Sequence, residues 1–177
     1  MPKIKDATIK PTFIPPERRV QIIGEINEEA YKEFSNKLYE LEYDGSGTIV
    51  IELLSNGGEA VTALAFASRI RVSPCKIVVI GYGEVCSAAV LILAYGDERL
   101  MTAESWVMVH EDSMKLNGEV RELQREAGHL RRMEDQWASL LEQRTGTKAS
   151  TWTKLHGDTT YLSATECLNL GLIDGVL

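Results

Sequence analysis

An uninterrupted apolar segment, Ile77-Val78-Val79-Ile80, is the feature that most constrains how this sequence can fold. Branched side chains favour strands, and a strand that is apolar on both faces has no side to present to water. Such a strand belongs inside a sheet that helices cover. The segment therefore predicts an α/β protein with a buried strand at residues 76–82.

The rest of the chain alternates between strand and helix patterns, which supports the α/β class. Further strands are predicted at residues 20–23, 48–54, 99–101 and 106–109. Helices are predicted after the cap Asn27, at residues 59–72 and 87–96, and after the capping box Ser163-Ala164-Thr165-Glu166. A chain of 177 residues of this kind fits one domain, at residues 18–177, preceded by a proline-rich arm at residues 1–17 that is extended or partly disordered.

One predicted helix, at residues 119–144, is longer than a domain of this size can cover. At about 1.5 Å per residue it measures roughly 39 Å, against a domain diameter near 30 Å. Apolar residues follow one side of this helix: Val120, Leu123, Ala127, Leu130, Met133, Trp137, Leu140 and Leu141. Part of this stripe should therefore project and pack against a partner, for which a second copy of the chain is the simplest candidate.

Charge and cysteine content exclude several classes of function. The net charge of −7 repels nucleic acid and anionic membranes, and no basic patch offsets it. Cys75, Cys86 and Cys167 lack the paired spacing of a disulfide framework or zinc site, which favours a reducing compartment, the cytoplasm by default. The longest apolar run, residues 88–95, is too short to cross a membrane.

Two glycine-containing segments follow apolar strands, where α/β proteins place their ligand sites. They are Leu54-Ser55-Asn56-Gly57-Gly58 and residues 81–87. Glycines let the backbone turn its N–H groups toward a ligand, and the start of the next helix leaves further N–H groups unpaired. Each segment alone is most often a plain turn, but two that face one point can hold an oxyanion.

Ser87 and His110 are the candidate nucleophile and base. Ser87 stands between a strand and a helix, so it is either an N-cap or a nucleophile. His110 ends the apolar strand at residues 106–109, which directs it toward a cleft. His129 inside the long helix and His156 near an exposed helix end have structural interpretations, and Cys86 is interpreted as an inert buried thiol.

From about residue 19 to the C-terminus, the sequence resembles the proteolytic subunit of the Clp protease family. The resemblance lies in the Leu54–Gly58 segment, in residues 83–91, in Val107-Met108-Val109-His110, and in the terminal Tyr161-Leu162-Ser163-Ala164 and Gly171-Leu172-Ile173-Asp174. It implies a ClpP/crotonase-like fold of repeated β-β-α units with a protruding handle helix. It also implies that Ser87 is the nucleophile, that His110 is the general base, and that the backbone N–H groups of Gly58 and Ala88 form the oxyanion hole.

The sequence departs from the family pattern at several positions. Asn56 replaces a proline, and Ala88 replaces a methionine but still supplies an N–H. Thr159 stands where the family has the aspartate of its catalytic triad, and the arginine beside it is absent. Asp158, one residue earlier, is therefore the predicted orienting carboxylate, and Asp112 is the alternative.

The resemblance implies an ATP-dependent-type serine endopeptidase without a cofactor. Its expected assembly is stacked heptameric rings whose chamber receives unfolded polypeptides, with a Clp-type AAA+ ATPase as a potential partner and no nucleic acid or membrane. Two alternatives stay open. They are a non-catalytic ring subunit and a crotonase-fold acyl-CoA enzyme.

Overall fold

A computed structural model describes residues 16–45, 47–111 and 118–177. A seven-stranded sheet forms its centre, with β1, β2, β3, β4 and β7 side by side in that order and all parallel. The strands are β1 (Arg19–Ile26), β2 (Ile49–Gly58), β3 (Ile77–Cys86), β4 (Glu98–Met101), β5 (Trp106–Val109), β6 (Thr160–Ser163) and β7 (Gly175–Val176). The predicted α/β fold class is confirmed.

Helices connect the strands and pack on one face of the sheet. They are α1 (Glu28–Tyr43), α2 (Ala60–Arg71), α3 (Ala88–Ala94), α4 (Val120–Thr145), α5 (Ala149–Gly157) and α6 (Ala164–Asn169). The predicted caps form: the Asn27 side chain accepts from the Ala30 N–H, and Ser163 and Glu166 make a complete capping box. Every residue of α3 is buried, which makes this short helix the centre of the core.

The central strand β3 is buried on both faces, but helices cover only one of them. Ile77 and Val79 join the large core beneath the helices. On the other face, Val78 and Ile80 pack with Val50, Leu100 and the partly buried Tyr82 and Leu177. None of these residues lies in a helix, so the predicted helical cover is wrong for this face. Branched side chains of neighbouring strands bury one another there.

The two glycine segments continue strands instead of ending them. Predicted as turns, they form the last parts of β2 and β3, and the strand pairing shifts register between Leu53 and Ser55. On its other edge, β3 pairs first with β4, through Val78–Gly81, and then with β5, through Glu84–Cys86. Antiparallel pairing of β5 with β6 then brings the C-terminal part of the chain to the same end of the sheet.

The long helix α4 projects as predicted, within one residue of the predicted bounds at each end. Its buried residues are Trp137, Ala138 and Leu141, all in its second half. Val120 in the first half is 70% exposed, and Ala127 is exposed as well. Arg144 anchors the C-terminal end by donating to the carbonyl oxygens of Ala94 and Gly96. Only the first half of the apolar stripe therefore lacks cover from its own chain.

Arg18 links the first described residues to the end of α1 and to the segment before β2. Its guanidinium donates to the carbonyl oxygens of Leu41 at 3.1 Å, Thr48 at 3.2 Å and Gly47 at 2.6 Å. Most of the predicted arm, residues 1–15, lies outside the described residues, and Pro16–Arg18 forms a single 3-10 turn. Within the described ranges, no helix is both long and apolar enough to cross a membrane.

Candidate active site

Ser87 occupies a strained junction between β3 and α3. Its backbone has φ 53° and ψ −124°, a conformation that residues with a side chain rarely adopt. Although Ser87 holds the N-cap position, its side chain makes no capping hydrogen bond. The Ser87 N–H donates to the Met108 carbonyl at 2.7 Å, which ties the junction to β5. A sharp strand-to-helix turn of this kind presents a serine hydroxyl at the edge of a sheet.

Gly57 lets β2 approach this junction closely. Its φ is +97°, and a Cβ built on it would lie 2.7 Å from the Ser87 Cβ and 2.8 Å from the Cys86 carbonyl oxygen. The Gly57 N–H donates to Ser55 Oγ at 3.0 Å, and this hydroxyl donates to the Gly24 carbonyl at 2.5 Å. Gly57 therefore lies directly against Ser87, at a distance that leaves no room for a side chain.

His110 follows β5 and lines the same cleft as Ser87. Its Nδ1 lies 2.7 Å from the carbonyl oxygen of Glu111. A carbonyl oxygen only accepts, so this contact requires a proton on Nδ1, and in the neutral ring Nε2 is then the acceptor. Ser87 and His110 are not hydrogen-bonded in the structure. Catalytic hydrogen bonds are often long in the absence of substrate and shorten when it binds. Sequence reasoning thus placed both residues in one cleft.

His156 lines the cleft too, although the sequence analysis assigned it a structural position. It belongs to α5, and its ring packs against the Trp137 ring of α4 with centroids 5.3 Å apart. Burial, with a smaller contribution from repulsion by His110, lowers the pKa of His156 from 6.5 to about 4. His156 is therefore neutral at pH 7, and no local signal in the sequence distinguishes it from any other histidine near a helix end.

Acid should destabilise the fold through His156. Because its folded-state pKa of about 4 lies below the ordinary 6.5, the unfolded chain binds the proton first as the pH falls through this interval. The contribution of neutral His156 to the free energy of unfolding is complete above about pH 6.5. By pH 5, about 2 kcal/mol of this contribution should be lost. Urea unfolding at pH 7 and pH 5 measures this loss, which His156→Gln should remove. His129→Gln, at an exposed histidine of α4, is the control, and equal pH dependence in both variants would contradict the assignment.

The structure does not bring Asp158 to His110. Asp158 caps the C-terminal end of α5 and is exposed, and no hydrogen bond joins its carboxylate to His110. Asp112 lies outside the described residues. Cys86 is buried, and burial followed by the nearby Glu84 raises the pKa of its thiol, as expected for an inert cysteine. The orienting role of either aspartate stays a prediction.

Comparison with known proteins decides the family. The family model described as Clp protease matches residues 9–177. The chain belongs to the Clp protease family. Among its relatives, an ATP-dependent Clp protease proteolytic subunit from Pleurastrum terricola is 30% identical, with 89% of this chain and 82% of that protein covered. A proteolytic subunit 2 from Treponema denticola is 28% identical, with 90% and 81% covered.

Solved Clp protease structures share the fold. A ClpP1 variant from Listeria monocytogenes superposes with a TM-score of 0.84 at 25% identity, with 91% of each chain covered. The Clp-type fold class and the resemblance noted in the sequence are both confirmed. Among the described residues, no group of three or more histidine, cysteine or acidic side chains is arranged to hold a metal ion.

Proposed function

We propose that this member of the Clp protease family is a catalytic serine endopeptidase in which Ser87 attacks the peptide carbonyl. The observation that carries the proposal is the strained backbone of Ser87 in a cleft shared with His110. Strain of this kind, of order 1–3 kcal/mol, persists at functional sites where the surrounding structure holds it. A serine that caps nothing gains no stability from this conformation, which supports a catalytic role.

His110 is suited to act as the general base. With its proton on Nδ1 and directed at the Glu111 carbonyl, Nε2 accepts the hydroxyl proton of Ser87 as the oxygen bonds to the substrate carbonyl carbon. The imidazolium then returns the proton to the leaving amine, and a water molecule releases the acyl group by the same steps. In this proposal the Glu111 carbonyl supplies the orientation that a carboxylate supplies in most triads.

Gly58 and Ala88 are proposed to bind the oxyanion. The Glu59 N–H donates to the Ile26 carbonyl at 2.8 Å on the β1 side. Gly58 ends β2 directly after Gly57, which lies against Ser87, so we propose that its N–H faces the cleft. Ala88 opens α3, where the first N–H groups have no partner within the helix. Together they offer two donors for the charge that develops on the attacked oxygen.

Unfolded polypeptides are the proposed substrates, cleaved inside a chamber that stacked heptameric rings enclose. A Clp-type AAA+ ATPase is the proposed partner, since the relatives carry the name of ATP-dependent Clp subunits. The three free, buried cysteines suit a reducing compartment such as the cytoplasm.

The proposed substrate class can be tested with one protein in two forms. The reduced and alkylated form, which is unfolded, should be degraded, and the folded form should resist. Equal cleavage of both forms would argue against an enclosed chamber.

Assembly should depend on the exposed half of the α4 stripe. Leu123→Glu places a charge among Val120, Ala127 and Leu130, so the particle should separate into single rings or smaller species. Light scattering would then report a lower mass. His129→Glu adds the same charge on the opposite side of the same half of α4 and should leave the mass unchanged. An assembled mass that Leu123→Glu does not alter would exclude this surface from the interface.

A non-catalytic ring subunit is the second candidate. Two observations favour it: Asp158 makes no hydrogen bond to His110, and Thr159 occupies the position of the family aspartate. Such a subunit would assemble through α4 but would not hydrolyse peptides.

A further inference from the structure

Four large apolar side chains are exposed on the face of the sheet that the described helices leave open. Between 41% and 63% of each residue is exposed, and we call them the sheet patch: Ile23, Leu54, Trp106 and Tyr161. Each is next in sequence to a residue of the core beneath the helices: Ile22, Leu53, Val107 and Leu162. Because neighbouring residues of a strand point to opposite faces, all four side chains lie on the helix-free face.

Strand pairing joins the sheet patch and places a carboxylate inside it. Ile23 is opposite Leu54, and a Cβ built on Gly83 would lie 3.1 Å from Leu54 Cδ1. Glu84, the next residue, is opposite Trp106. Glu84 is exposed and forms no ion pair within the part of the chain that the structure describes. A continuous exposed apolar surface of this kind marks an interaction site.

A second exposed apolar surface lies on the helix side of the sheet. Tyr39 and Tyr43 are one turn apart on α1 and are 60% and 93% exposed, and Val72, directly after α2, is 66% exposed. Arg69 of α2 makes two hydrogen bonds to the Glu42 carboxylate, and its guanidinium lies 4.2 Å from the centre of the Tyr39 ring. These contacts hold the two helices together under this surface, which we call the tyrosine patch (Tyr39, Tyr43 and Val72).

Arg71 adjoins the tyrosine patch. Ser73 Oγ donates to the Glu42 carboxylate at 2.7 Å, which brings the residues that follow α2 against the last turn of α1. Arg71 therefore lies at the same end of the two helices as the tyrosines. Unlike Arg69, it is exposed and has no acidic partner among the described residues.

We propose that the sheet patch of one copy of the chain binds the tyrosine patch of the next copy, with Glu84 paired to Arg71. Two sheet patches facing each other would bury two carboxylates without a counter-charge, which is costly, whereas the tyrosine patch supplies a cation. Contact between two different surfaces is heterologous, and repetition of such a contact around an axis closes a ring. The inference rests on the proposed ring assembly, to which it adds the lateral contact, and it does not depend on hydrolysis by Ser87.

Charge reversal tests the pairing. Glu84→Arg would set two cations against each other and Arg71→Glu two carboxylates, so either variant should reduce the assembled mass to that of a single chain or of a dimer paired through α4. The combined variant restores opposite charges and should recover most of the assembled mass. Lys154→Glu reverses an exposed charge on α5 and should leave the mass unchanged.

Light scattering of the four variants at one protein concentration gives the comparison. Both reversed residues are exposed, so the fold should survive, which circular dichroism checks. Full assembly of both single variants would overturn the pairing. A combined variant that stays as dissociated as the single ones would overturn it as well.

Cross-linking reports the geometry of the contact directly. The three native cysteines are buried, so the thiols of a variant with both Glu84→Cys and Arg71→Cys are the ones that a short bis-maleimide should join. A heterologous contact predicts a ladder of linked chains that ends at the closed ring, whereas Glu84→Cys alone should stay unlinked. Dimers of Glu84→Cys alone, or a double variant without a ladder, would overturn the proposal.

The same experiment separates the contact from the peptidase. A ladder formed by a protein that hydrolyses no peptide would leave the contact standing and would count against the proposed activity alone. A protein that hydrolyses peptides but forms no ladder would lose the contact and keep the peptidase.

Discussion

Replacing Ser87 by alanine should lower peptide hydrolysis by about 10⁴- to 10⁶-fold, the loss expected when a serine peptidase is deprived of its nucleophile. The Ser87 hydroxyl oxygen is the atom that bonds to the substrate. No other described residue in the cleft carries a hydroxyl or thiol. Turnover of a fluorogenic peptide and degradation of an unfolded polypeptide would both report the loss.

The same substitution should leave the fold intact. The Ser87 side chain makes no capping bond, so its removal should alter the free energy of unfolding by about 0.5 kcal/mol or less. Ser68→Ala, at an exposed position of α2, is the matched control and should retain full activity. Hydrolysis at the wild-type rate by Ser87→Ala would refute the proposed mechanism, whatever the effect on stability.

A methyl group at Gly57 should have the second largest effect on turnover. The Cβ of alanine would stand 2.7 Å from the Ser87 Cβ and 2.8 Å from the Cys86 carbonyl oxygen, so the junction must move away from β2. A displacement of about 1 Å at a reacting atom costs on the order of 10²-fold, and disturbance of the neighbouring oxyanion donors adds to it. We expect Gly57→Ala to lower kcat by about 10²- to 10³-fold.

Gly24→Ala separates this effect from general backbone strain. Gly24 also has a left-handed φ of +90°, but a Cβ there would meet nothing within 4 Å. Both variants should lose stability, since alanine is strained at either backbone conformation. Only Gly57→Ala should lose turnover beyond what its unfolded fraction explains. Equal losses of activity per folded molecule would contradict the close approach of β2 to Ser87.

The sequence predicted the elements whose signals are local. The apolar strand β5 has its predicted bounds, and α4 lies within one residue of its own, because both patterns can be recognised in consecutive residues. The caps at Asn27 and Ser163 could be predicted for the same reason, and both are present. The glycine segments were harder to predict, because glycine that ends a strand and glycine that bends a paired strand have the same composition.

His156 and Asp158 show what local patterns cannot provide. Successive residues of a helix are rotated by about 100°, so positions two residues apart, such as His156 and the cap residue Asp158, point to nearly opposite sides. His156 faces the cleft because α5 packs on the second half of α4, and Asp158, two residues later, faces solvent. Asp158 was predicted from its place one residue before the family position, whereas His156 reaches the cleft through the packing of α5 on α4.

Labelling with a fluorophosphonate probe tests the central claim most directly, because only a serine activated by a neighbouring base reacts. Mass spectrometry of the digested protein should locate one adduct on Ser87, and both Ser87→Ala and His110→Ala should abolish it. A properly folded, assembled wild-type protein that acquires no adduct at Ser87 would contradict the account.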